Sequence, residues 1–111
     1  MTFTQQVRAD ASGLVVSLSG EMDLSVAGTF EASVQRLIAT RHPRMIQLDL
    51  SGLEFLDSTA VSVIVRLWRL ARREHCSLRV VNSTGGVRHV LDVTGALALV
   101  GADPAPETST A

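Results

Sequence analysis

Serine, aspartate, glutamate, histidine and arginine are the side chains of this sequence that can do chemistry, and their spacing decides which chemistry is open to them. Asp57-Ser58-Thr59 sets a carboxylate and two hydroxyls at the mouth of a long apolar run. A nucleophilic serine needs a base within hydrogen-bond reach. The G-x-S-x-G elbow is absent, and His42, His75 and His89 lie in segments with no defined geometry toward Ser58, so a Ser-His-Asp hydrolase is not supported. Two readings of Ser58 remain. One is a helix cap, a role that Asp57 alone would also fill, since Ser, Thr and Asp are common cap residues. The other is a phosphorylation site. That requires only an accessible hydroxyl, and a helix N-terminus favours the resulting anion.

The other clusters read more plainly. Glu21 and Asp23 follow an apparent strand end at Gly20. They suit a turn and a cap, or a polar rim beside Ser58 with acceptors for a basic partner. Arg66, Arg69, Arg72 and Arg73 crowd one stretch, but with a net charge of −1 they read as a solvated helix face and not as a nucleic-acid site. Gly85-Gly86 lacks the surroundings of G-x-x-x-x-G-K-[ST] or G-x-G-x-x-G and reads as a loop. The single cysteine, Cys76, excludes an internal disulfide and a multi-cysteine metal site. No metal and no cofactor is expected.

These groups need elements to hold them. Phe3, Gln5, Val7 and Ala9 alternate, as do Leu14, Val16 and Leu18 after Asp10-Ala11-Ser12-Gly13, which predicts a hairpin. Val26, Phe30, Val34, Leu37 and Ile38 form the apolar face of a helix from about Ser25 to Thr40, capped by Asp23 or Ser25 and ended by Arg41-His42-Pro43. Ile46, Leu48 and Leu50 predict a strand that Ser51-Gly52 breaks. After Leu53, Phe55 and Leu56, a helix runs from Asp57-Ser58-Thr59 to Glu74, with Ser62, Arg66, Arg69 and Arg73 as its polar stripe. Leu78 and Val80 mark a further strand, and Val87 to Thr94 a short helix closed by Gly95. Ala96 to Val100 is apolar but too short to classify.

Alternating strands have one apolar side, whereas a doubly wound sheet has both faces covered. The fold class expected is therefore α/β, with a mixed four- to five-stranded sheet and helices packed mainly on one face. The helix between the third and fourth strands should make a right-handed parallel crossover.

At 111 residues the chain is one domain, long enough to bury roughly 65% of its unfolded surface. Its composition, 46% hydrophobic and 19% charged, is that of a globular protein. No apolar run approaches ~20 residues, so no membrane insertion is expected. The N-terminus lacks the regions of a signal peptide, which points to the cytoplasm. All ten cations are arginine, which removes any P-loop or Schiff-base lysine.

Three phrases now stand in order: GEMDLSVAGTF (20–30), LDLSGLEFLDSTAVSVIV (48–65) and VLDVTGAL (90–97). Together they resemble the STAS domain of anti-sigma factor antagonists. The central motif is an apolar strand ending in D-L-S-G, four residues, then D-S-T before an apolar helix. The resemblance covers about residues 3–100 and implies a STAS domain over 1–102; the composition of 103–111, DPAPETSTA, is that of a disordered tail. It implies a switch protein and not an enzyme. In that family the serine at the position of Ser58 is phosphorylated by a partner that is both anti-sigma factor and serine kinase. The unmodified antagonist binds that kinase and frees the sigma factor, and a phosphatase acting on the serine restores it. The family's loop acid maps onto Asp23, and the implied partner surface is Asp23, Asp57, Ser58, Thr59, Ala60 and Ser62. Ala60 stands where the family usually has glycine. An alternative is a STAS-like structural or regulatory subunit of a signalling complex or a lipid or anion transport system. Neither reading involves direct nucleic acid binding.

Overall fold

The computed structural model describes residues 2–101. Strand β1 (Phe3–Asp10) turns into β2 (Gly13–Met22), and helix α1 (Leu24–Arg41) follows. Then come β3 (Met45–Leu56), α2 (Ser58–Arg73), β4 (Ser77–Val81), α3 (Gly85–Val93) and α4 (Ala96–Val100). The four strands form one mixed sheet in the order β1-β2-β3-β4. β1 and β2 pair antiparallel, while β3 runs parallel to both β2 and β4.

The hairpin is set by Asp10. Its Oδ1 accepts from the Ser12 amide at 2.9 Å, the Ser12 hydroxyl at 2.7 Å and the Gly13 amide at 3.1 Å. Short acceptor side chains at such positions stabilise turns by binding the backbone just ahead of them.

One core lies between the sheet and its helices. Leu14, Val16 and Leu18 from β2, Ile46, Leu48 and Leu50 from β3, and Leu78 and Val80 from β4 meet Phe30, Val34 and Ile38 of α1 in the same cluster. On α2 the fully buried residues are Ala60, Ile64, Leu67 and Ala71, a 4-3-4 spacing that holds one face of a helix against the core. The opposite sheet face carries Ser17, Gln47, Asp49 and Arg79, all partly exposed. Val15 is the exception there. It is 3% exposed, in the cross-strand row Arg8–Val15–Gln47–Arg79.

Ser51-Gly52 does not break β3. The strand runs on for 12 residues, because the pairing with β2 absorbs the irregularity. Ser17 pairs with Asp49 but Ser19 with Gly52, and Gly20 pairs with Leu53 but Glu21 with Phe55. Each step puts one extra residue into β3, which is a β-bulge. A bulge shifts the period-2 phase, so the buried positions are 46, 48 and 50, then 53 and 56. Gly52 fits this course because a Cβ there would lie 2.6 Å from the Ser19 hydroxyl and 3.1 Å from the Leu18 carbonyl.

β2 likewise passes Gly20 and ends at Met22. Gly20 has φ +92°, and a Cβ would meet the Thr2 carbonyl at 1.7 Å, so only glycine carries the strand through. Gly85-Gly86, expected in a loop, forms the first turn of α3, and Ala96–Val100 is the helix α4. The expected tail, 103–111, lies outside the described residues.

Candidate functional site

The parallel pairing of β2 with β3 sets Met22 beside Leu56. The next residues, Asp23 and Asp57, therefore leave neighbouring strands at one edge of the sheet, and each opens a helix. The Asp57 amide donates to the Met22 carbonyl at 3.2 Å, tying the two junctions together. Asp57 is the cap of α2, its Oδ1 accepting from the Ala60 amide at 2.9 Å. Asp23 caps α1, accepting from the Ser25 amide at 2.9 Å and the Ser25 hydroxyl at 2.6 Å. The Ser25 hydroxyl, then the Ser25 amide, hold the Asp23 carboxyl below the ordinary 3.8. Asp23 thus stays an anion at neutral pH.

Ser58 is the first residue of α2 and is exposed. Because Asp57 makes the cap bond, the Ser58 hydroxyl is not needed for it. This separates the two roles that the sequence left merged at Asp57-Ser58. Thr59 is half-buried and Ser62, one turn on, is exposed. Ala60 differs from the expectation of a surface residue. It is fully buried, since it begins the 4-3-4 stripe against the core, and what it contributes to the site is its amide in the cap.

Two large apolar side chains flank this edge: Leu24, 73% exposed beside Asp23, and Phe55, 47% exposed two residues before Asp57. Starting from Ser58, a groove of about 620 Å³ runs along α2 to the α3–α4 corner. Val61, Val65, Ala96 and Leu99 line it, and Arg66 and Arg69 stand at its far end.

A sequence model of the STAS domain matches residues 3–110. The chain belongs to the STAS domain family. It is 29% identical over 82 residues to the anti-sigma F factor antagonist of Paenibacillus polymyxa, spanning 74% of this chain and 70% of that one. A STAS-domain containing protein of Pseudomonas aeruginosa is 27% identical over 94 residues, 85% of this chain and 91% of its own. The crystal structure of an anti-sigma factor antagonist from Mycobacterium paratuberculosis superposes with a TM-score of 0.80 at 26% identity, covering 89% of this chain and 83% of that one. The fold is therefore that of a single STAS domain, and relatives of this domain are anti-sigma factor antagonists.

Arg66 pairs with Glu31 of α1 in a two-pronged contact, Nε to Oε2 at 2.9 Å and Nη2 to Oε1 at 3.0 Å. That hydrogen bond holds the Glu31 carboxyl below its ordinary 4.5. Arg72 stacks over Trp68, 5.0 Å from the ring centre. Arg69 has no carboxylate partner among the described residues. Cys76 is buried, and burial pushes its thiol up, which makes it inert at neutral pH. No helix among the described residues is long and apolar enough to cross a membrane.

Sequence reasoning missed Leu24, Phe55 and the groove. The two apolar residues carried a signal. Leu24 falls off the helical stripe that begins at Val26, and Phe55 sits directly beside Leu56 in the strand, so only one of the two can face the core. The groove needs α4, which periodicity does not reveal in so short a run.

Proposed function

We propose that this STAS domain is a phosphorylation-switched antagonist of an anti-sigma factor that is also a serine kinase. The unmodified form docks on the kinase through the edge bearing Asp23, Asp57, Ser58, Thr59 and Ser62, and the sigma factor is released. Phosphorylation of Ser58 ends the complex, and a phosphatase restores it. All of this takes place in the cytoplasm, and the protein itself is not an enzyme. The observation that carries the reading is the position of Ser58: exposed, first in α2, and relieved of capping by Asp57. Exposed Leu24 and Phe55 beside it supply apolar contact for a protein partner. The names of its relatives support the same class of partner.

The chemistry of the switch follows from the helix terminus. A phosphate adds about −1.5 to −2 charges. The first turn of a helix favours an anion by about 0.3–1 kcal/mol, and a carboxylate ~4 Å away opposes each unit charge by roughly 1–4 kcal/mol. At an exposed site the phosphate turns into water and the fold survives. In a docked complex it is dehydrated against the partner, and binding is lost.

The test is capture of the protein with its partners from its native cell, followed by mass spectrometry of Ser58. Phosphoserine at 58 and a co-purifying serine kinase are expected. An unmodified Ser58 with a transport ATPase as sole partner would favour a STAS subunit of a transport system instead.

A further inference from the structure

The charges of this face are laid out in two parts. Glu21, Asp23 and Asp57 gather at the sheet edge, whereas Arg66, Arg69 and Arg73 follow one another down the exposed side of α2. Glu31 answers Arg66 alone, so the ridge keeps a net positive charge in a protein whose total is −1. Between the two parts lies the groove, continuous with Ser58 at one end and with Arg69 at the other. Its lining is apolar: Val61 and Ala96 form its buried floor, Val65 is half-buried and Leu99 is 40% exposed, and nothing else among the described residues covers them.

From this juxtaposition we infer that the groove between α2 and the α3–α4 corner seats an acidic segment of the partner protein. Aliphatic side chains of the segment lie against Val65 and Leu99, and its carboxylates meet Arg69 and Arg66. Arginine suits that task, since its planar fork binds carboxylates in pairs and is only weakly hydrated. Arg66 is already held upright by Glu31 and needs little further ordering, while Arg69 is the unneutralised cation. The cations lie at one end of the groove and Ser58 at the other, so a segment with its carboxylates at one end docks in one orientation only. Complementary potentials of this kind set register and suppress wrong partners. The inference rests on the reading that this face docks a protein, and it adds where the partner's acidic segment goes.

The test uses the whole chain, ¹⁵N-labelled, and two short synthetic peptides. One combines leucines with glutamates; its twin carries lysine in place of each glutamate. The glutamate peptide is expected to shift the amide signals of Val61, Val65, Arg69, Ala96 and Leu99, more weakly as salt is raised. Arg69→Glu should weaken that binding by about tenfold or more, as a like charge brought against the peptide does. Arg73→Glu, on the ridge but outside the groove, should stay within about threefold. The same spectra show whether each variant is folded. Equal response to both peptides, shifts centred on the open sheet face, no loss with Arg69→Glu, or a response only to phosphatidylglycerol vesicles would each overturn the inference. No kinase and no phosphate enters this assay, so failure of the Ser58 switch leaves its outcome untouched.

Discussion

Replacing Asp57 and replacing Ser58 should have opposite signatures, because the structure assigns the cap to one and leaves the other free. Asp57→Ala removes the acceptor of the Ala60 amide, which sits at a fully buried residue. Loss of such a cap costs about 0.5–2 kcal/mol, and loss of an anion from the first helical turn a further 0.3–1 kcal/mol or so. The sum, about 1–3 kcal/mol, corresponds to roughly 4–12 °C at about 4 °C per kcal/mol for a domain of this size. Asp57→Asn keeps an acceptor at the same place and gives up only the charge, so its loss should be about a third of that or less. Ser58→Ala touches no cap bond and puts a better helix former at the first position, so its Tm should stay within about 2 °C of wild type. Thermal unfolding followed by far-ultraviolet circular dichroism, with Trp68 fluorescence as a second probe, measures all three. If Ser58→Ala lowers Tm as far as Asp57→Ala does, the hydroxyl is structural, and the separation of cap from switch is wrong.

Three further expectations follow from the same contacts. Asp23→Asn should weaken kinase binding far more than it lowers Tm, since asparagine keeps the cap acceptor and gives up only the charge; normal binding in a pull-down titration would reduce Asp23 to a cap. The pair of Glu31 with Arg66, whose side chain is 55% exposed, should stabilise the fold only weakly, because solvent screens it. A carboxyl whose folded pKa lies below its unfolded value stabilises the fold above the unfolded value and ceases to as pH falls through the folded one. The urea-midpoint difference between wild type and Arg66→Ala should therefore be whole above the ordinary 4.5 of Glu31 and fade at lower pH; a difference that grows toward acid would refute the pairing. Cys76, buried and with its thiol pushed up, should react with a thiol reagent only as fast as the domain unfolds, and prompt labelling in native buffer would contradict its burial.

The helices were legible in the sequence where one face is long and uniformly apolar, as in α2, whose 60-64-67-71 stripe and Asp57 cap stand out in the residues alone. The hairpin was legible for a similar reason, since Asp10 and Gly13 announce a turn between two alternating runs. β3 was not, because alternation signals a strand only while the register is unbroken, and two bulges shift its phase after Leu50. The site divides the same way. Asp57, Ser58 and Asp23 could be picked out by residue type. Their meeting at one edge depends on the parallel pairing of Met22 with Leu56, which is long-range and leaves no local mark. Ala60 shows the converse. Its place in the motif suggested surface, and the helical period turned it into the core.

The central claim is that a negative charge on Ser58 breaks the complex and spares the fold. The direct measurement is the Kd of Ser58→Ala and of Ser58→Asp for the kinase, by isothermal titration calorimetry, with thermal melts of both variants alongside. Ser58→Ala should bind as the unmodified protein does and resist inactivation. Ser58→Asp should bind at least about tenfold more weakly, since a charge dehydrated at an interface without a partner costs several kcal/mol, while its melting curve stays close to that of the alanine variant. Equal affinities for the two variants, or a Ser58→Asp protein that no longer folds, would contradict the account.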